Sequence, residues 1–136
     1  MEKVKLLDKN GIDSTIKRLS FEIVEKNKNL NNLAIIGIRT RGEIIAQKIH
    51  SLIKKSTKIN VNYGVLDVTF YRDDFRSNLG SPKIGPSNVT FDINGMIVVL
   101  VDDVLYTGRT IRAAMDELFS FGRPSKIKLG VLIDRG

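Results

Sequence analysis

The stretch MIVVLVDDVLYTGRT, residues 96–110, decides the fold. Met96 to Val101 is the most apolar run in the chain and predicts a central strand, since a strand covered on both faces has no polar side to alternate with. Asp102 and Asp103 follow at its carboxyl edge, where paired carboxylates can accept hydrogen bonds from vicinal hydroxyls or approach a metal ion. Thr107, Gly108, Arg109 and Thr110 then open a helix. Free amides, two hydroxyls and the positive end of the helix dipole make a cradle for a phosphate there. Gly108 lets the backbone come close, and Arg109 adds charge. A diol and a phosphate held one turn apart describe a ribose 5-phosphate.

Working outward, Ile111, Ala114, Met115, Leu118 and Phe119 space a helix closed by Gly122 and Pro124, and Ile127 to Ile133 reads as a strand. Upstream, Ile16, Leu19, Ile23 and Val24 predict an amphipathic helix over 13–29, capped by Asp13 or Ser14. Leu33 to Ile38 reads as a buried strand. Residues 43–55 repeat the helical pattern through Ile44, Ile45, Ile49, Leu52 and Ile53. Ile59 to Val68 alternates like a strand, with Val61, Tyr63, Val65 and Asp67 on one side. This order predicts an α/β fold: an open, mostly parallel sheet flanked by helices, whose ligands bind beyond the carboxyl ends of the strands. Residues 1–136 make a single domain. From Arg72 to Asn94 polar, glycine and proline residues outnumber apolar anchors, which predicts a flexible loop or hairpin arm at about 72–94, read as a lid rather than a surface insertion.

The 136 residues carry 22 basic and 15 acidic side chains, a net charge of +7. That excess attracts polyanions such as nucleic acid, anionic lipid or a small phosphorylated ligand, although a lysine-rich coding bias would give it too. The absence of cysteine excludes disulfides, thiolate metal sites and cysteine nucleophiles. No window approaches the ~20 apolar residues that span a bilayer, and the first residues lack a signal-peptide pattern. A soluble, cytoplasmic protein with no membrane partner is expected.

VVLVDDVLYTGRT, residues 98–110, resembles the phosphoribosyl-pyrophosphate (PRPP) signature of the type I phosphoribosyltransferases. The form DDVLYTGRT is similar to that of the pyrimidine-operon regulators with uracil phosphoribosyltransferase activity, the PyrR family. EIVEKNKN, IIGIRTRG, TFYRDD and GRPSKIKLGVLIDRG match further blocks in the right order, so the likeness covers essentially the whole chain.

The resemblance implies a PRPP site. Asp102 and Asp103 would bind the ribose hydroxyls. Val104, Leu105, Tyr106, Thr107, Gly108, Arg109 and Thr110 would line the nucleotide site, with residues 106–110 on the 5-phosphate. Arg39, Thr40, Arg41 and Gly42 would form the pyrophosphate loop, with a strained peptide bond of the cis kind. Two arginines, a hydroxyl and a helix amino terminus suit a diphosphate leaving group that needs its charge neutralised. Arg72 would approach the pyrophosphate as the loop closes and excludes water. Arg135 would face the nucleotide.

The implied reaction transfers ribose 5-phosphate from PRPP to uracil, giving UMP and pyrophosphate through an oxocarbenium-like transition state. The implied cofactor is Mg²⁺, held mainly by PRPP with help from Asp102 and Asp103. Purine-using relatives typically carry Asp where this chain has Tyr106, which favours a pyrimidine. The sequence ends at Gly136, where the family pattern continues with a further strand, so the fold is expected to lack the family's C-terminal segment.

The resemblance also implies a homo-oligomer, a dimer or larger, that binds pyrimidine-operon leader RNA through Lys17, Arg18 and Lys26, with Lys28 on the same basic face. Phe21 departs from the His of better-known members. The alternative reading is an RNA-binding attenuation regulator that senses pyrimidine nucleotides with little or no catalysis; a purine-using enzyme is a third. His50 reads as a surface or packing residue, Lys54, Lys55 and Lys58 as a solvated helix end, and Phe119 and Phe121 as core or dimer contacts.

Overall fold

The computed structural model describes residues 9–68, 87–105 and 108–134. Helix α1 (Lys9–Lys26) leads through a short 3-10 turn (Leu30–Asn32) into strand β1 (Leu33–Ile38). Helix α2 (Arg41–Thr57) and strand β2 (Asn62–Leu66) follow, then β3 (Ile97–Leu105), helix α3 (Gly108–Phe119) and β4 (Lys126–Asp134). The strands lie in the order β2-β1-β3-β4 and every neighbouring pair is parallel. All carboxyl ends therefore share one edge of the sheet.

All six residues of β1 are buried because both of its faces are covered. Leu33 and Ile35 join Ile16 and Ile23 of α1, and Ile45, Ile49 and Ile53 of α2, on one side. Ala34, Ile36 and Ile38 meet Ala114 and Leu118 of α3, with Ile93, on the other. Three layers result, with the sheet in the middle. Among the described residues no helix is long and apolar enough to cross a membrane.

Several boundaries differ from the sequence reading. Strand β2, read as Ile59 to Val68, spans only Asn62–Leu66, and Asp67 lies beyond its end, its amide bonded to Ser87 Oγ. Helix α1 runs from Lys9, so Asp13 and Ser14 lie a turn inside it rather than capping it. Its far end stops at Lys26, where the buried Asn27 donates to the Ile23 carbonyl at 2.7 Å and ends the spiral. Strand β3 extends past Val101 to Leu105, because Asp102 and Val104 still pair with Val131 and Ile133 of β4. The paired carboxylates thus belong to the strand itself.

Of the segment predicted as a loop at 72–94, residues 72–86 lie outside the described residues. Residues 87–94 are held against the sheet. Asn88 and Val65 exchange backbone hydrogen bonds of 2.8 and 3.0 Å as an antiparallel bridge, and Ile93 is fully buried. Apolar Val89, Phe91 and Ile93 anchor this return against the α3 layer.

Candidate active site

The open edge of the sheet collects the ends of β1, β2 and β3. Beyond β1, Arg39 and Thr40 turn into α2, and the Arg39–Thr40 peptide bond is cis, as the family resemblance implies. Thr40 occupies the cap position of α2 without a side-chain cap bond, so the first-turn amides face outward from the sheet edge uncapped by it. The next turn is seated by two glycines. A Cβ on Gly37 would lie 2.6 Å from the Gly42 carbonyl oxygen and 2.7 Å from the Glu43 Cα. A Cβ on Gly42 would collide with the Val101 carbonyl oxygen and stand 3.0 Å from the Asp102 Cα. Backbone therefore packs on backbone, and the loop is brought against the acidic end of β3.

Across this seam Arg41 Nη1 lies 3.4 Å from Asp103 Oδ2. The Arg41 side chain is 80% exposed and that of Asp103 only 25%. Asp102 Oδ1 accepts a 2.8 Å bond from the Asp103 amide, which orients the first carboxylate along the strand end. Among the described residues no group of three or more His, Cys, Asp or Glu side chains is placed to hold a metal ion by itself. Two adjacent carboxylates are a hard-oxygen donor set that suits Mg²⁺ completed by the oxygens of a phosphorylated ligand.

Arg39 is held differently. Its Nε lies 3.1 Å from Glu43 Oε1 and its Nη1 lies 4.0 Å from Asp67 Oδ2. Its amide donates to the Leu66 carbonyl at 2.9 Å. Glu43 and Asp67 were not singled out in the sequence. Glu43 stands four positions after Arg39, the spacing of an ion pair on a helix, and Asp67 directly follows strand β2, where the strand-end rule points.

Tyr63 of β2 packs beside this network, its hydroxyl donating to the Glu43 carbonyl at 3.4 Å. Burial pushes its phenol above the ordinary value; Gln47 and Arg39 oppose the rise and the Glu43 carboxylate adds to it. An acid raised in the fold contributes stability fully below the unfolded-state value of about 10 and loses it as pH climbs through the folded value. Melting temperature is accordingly expected to fall more steeply as pH rises above about 10 for the wild type than for Tyr63→Phe. Equal slopes in thermal melts of the two proteins would contradict this.

The structure sets His50 away from the strand ends. Its Nε2 bonds the Val61 carbonyl at 2.8 Å and its ring stacks tilted on Tyr63, which makes it the packing residue the sequence suggests. Phe121 packs in the α3 layer, whereas Phe119 is 36% exposed with the Arg123 guanidinium 5.2 Å above its ring, so it is no core residue. Lys54, Lys55 and Lys58 are exposed at the end of α2. Tyr106, Thr107, Arg72 and Arg135 lie outside the described residues. Gly108, Arg109 and Thr110 open α3, as expected.

A phosphoribosyl transferase domain pattern matches residues 5–136. A bifunctional protein PyrR from Pelotomaculum thermopropionicum is 47% identical over 99% of this chain. The chain belongs to the type I phosphoribosyltransferases, within the PyrR family. A PyrR from Listeria monocytogenes is 48% identical over 99% of the chain, and in both cases the match covers 75% of the relative. Among solved structures, a purine phosphoribosyltransferase from Pyrococcus horikoshii superposes with a TM-score of 0.65 at 26% identity, covering 90% of this chain and 72% of that one. A hypoxanthine phosphoribosyltransferase from Staphylococcus aureus gives 0.64 at 19% identity, covering 95% and 66%. The latter likeness is one of fold. The phosphoribosyltransferase fold accounts for the strand-end placement of both the DDVLYTGRT block and the IRTRG loop.

Proposed function

We propose that this phosphoribosyltransferase binds Mg²⁺–PRPP and transfers ribose 5-phosphate to uracil, giving UMP and pyrophosphate, in support of pyrimidine-gene regulation. The observation that carries the reading is the approach of Arg41 and Asp103, sixty-two positions apart in sequence and 3.4 Å apart in space. A cation for the departing diphosphate stands beside a carboxylate for the ribose diol. Phosphoribosyl transfer needs those two charges at that junction, because the C1′–oxygen bond to diphosphate breaks as the C1′–nitrogen bond to the base forms.

Asp102 and Asp103 would orient the ribose by accepting from its hydroxyls, and they are the residues that would help hold Mg²⁺. The ion would supply neutralisation of diphosphate charge. Arg41 and the first-turn amides of α2 would stabilise the charge that develops on the leaving group. The residues of the DDVLYTGRT block after Leu105 would take the 5-phosphate at the start of α3. Tyr106 in place of an acidic residue favours uracil over a purine.

The test is UMP formation from PRPP and uracil with Mg²⁺, with hypoxanthine as the competing acceptor. Turnover dependent on PRPP and uracil together supports the reading. Transfer to hypoxanthine instead would replace it by a purine-using enzyme, and failure of the folded protein to turn over either base would leave nucleotide sensing without catalysis.

A second reading, RNA binding by α1, has its own observation. Lys17, Arg18 and Lys26 are all exposed, and Phe21, 61% exposed, sits with Lys17, Leu52 and Lys55 around one hollow between α1 and α2. A basic rim around an exposed ring suits a phosphate backbone with an unstacked base. Lys17→Glu combined with Arg18→Glu is expected to weaken pyrimidine-leader RNA binding by at least tenfold while leaving PRPP affinity unchanged. Filter binding and calorimetry would check the pair, and unaltered RNA affinity would remove this surface from the reading.

A further inference from the structure

Resting on the PRPP reading above, we propose that the two arginines of the pyrophosphate loop divide their roles: Arg41 meets the diphosphate, while Arg39 is a positioning residue held by Glu43 and Asp67. The guanidinium of Arg39 lies between Glu43 Oε1 at 3.1 Å and Asp67 Oδ2 at 4.0 Å, with its side chain 29% exposed. Among the described residues two carboxylates face this one cation and offset its charge, which makes it a poor recruiter of a tetra-anionic ligand. Arg41, more open to solvent and facing a single carboxylate across the seam, is the arginine that an incoming diphosphate can recruit.

Asp67 reaches further than its contact with Arg39. Its own amide donates to Ser87 Oγ at 3.0 Å, and Ser87 Oγ donates to Glu117 Oε2 of α3 at 2.7 Å. One residue thus ties the loop after β1, the chain returning at Ser87, and the α3 layer. Neighbouring Leu66 accepts the Arg39 amide. The chain through the loop is fixed at both its amide and its side chain, so the direction in which Arg41 and the α2 amides point is set by acidic residues outside the signature motifs. Sequence spacing alone leaves Asp67 as one more strand residue.

Asp67→Asn keeps the size and the backbone amide while removing the charge that holds Arg39. The Kd for Mg²⁺–pyrophosphate, by calorimetry, and the KM for PRPP are expected to rise about tenfold, with the KM for uracil unchanged and kcat within a few-fold. Mere loss of folded protein would lower kcat and leave both KM values in place. Glu43→Gln is expected to shift PRPP in the same direction, and thermal melts of both variants identify the folded fraction. If Arg39 instead touched the ligand directly, removing a neighbouring carboxylate would leave its charge freer, and Asp67→Asn would bind pyrophosphate as well as wild type or better. That result, in either variant, overturns the division of roles. A wild-type protein that binds neither PRPP nor pyrophosphate would overturn the PRPP reading itself, and this proposal with it.

Discussion

Gly42→Ala is expected to lower stability by about 3 kcal/mol or more and to abolish pyrophosphate and PRPP binding. The added methyl would collide with the Val101 carbonyl oxygen and lie 3.0 Å from the Asp102 Cα and 3.1 Å from the Val101 carbonyl carbon. All of these are backbone atoms of β3, an interior strand paired on both sides, so no side chain can swing away to make room. Either α2 lifts from the sheet or β3 buckles. Both movements separate the pyrophosphate loop from Asp102 and Asp103. In a domain of this size a loss of about 3 kcal/mol lowers the melting temperature by roughly 10 °C. Calorimetric melts with a pyrophosphate titration check both effects together. A variant melting within a degree or two of wild type would mean that the seam has slack that the backbone geometry denies.

Asp103→Asn is expected to leave the fold intact and to reduce uracil-dependent pyrophosphate release by roughly 10²–10³-fold, the scale of losing one transition-state charge contact. The substitution is close to isosteric, and its ion pair with the exposed Arg41 contributes little to stability. What disappears is the carboxylate that would orient the ribose diol and assist the metal. The same change releases Arg41 and removes a negative charge from beside the diphosphate position. Pyrophosphate without Mg²⁺ is therefore expected to bind at least as tightly as in wild type while turnover collapses, and RNA affinity stays unchanged. Turnover within a few-fold of wild type would exclude Asp103 from the chemistry.

The layers of this fold were legible because β1 and the first half of β3 are continuous apolar runs, and only a doubly covered strand calls for that composition. The ends were less so. Asp102 and Asp103 read as the close of a strand by polarity, yet the ladder to β4 continues through them at an open sheet edge, where water can reach the side chains while the backbone stays paired. At the start of α1 a cap-type residue, Asp8, directly precedes Lys9, but Asp13, closer to the apolar-periodic residues, offers a more attractive and false one. Within the candidate site the IRTRG and DDVLYTGRT blocks were readable as local motifs. The acidic cradle of Arg39 was not, since Asp67 acquires its meaning only when β2 pairs with β1 and sets Leu66 beside Ile38. Pairing of that kind is a tertiary event that no local window contains.

The strand order β2-β1-β3-β4 also imposes a timetable on the ribosome. β1 and β2 pair through a short βαβ unit, but the other edge of β1 stays open until Ile97–Leu105 has been synthesised. During that interval Ala34, Ile36 and Ile38 have no α3 to cover them. A nascent chain paused before β3 therefore displays an unpaired apolar strand edge, the kind of surface that invites association with other chains.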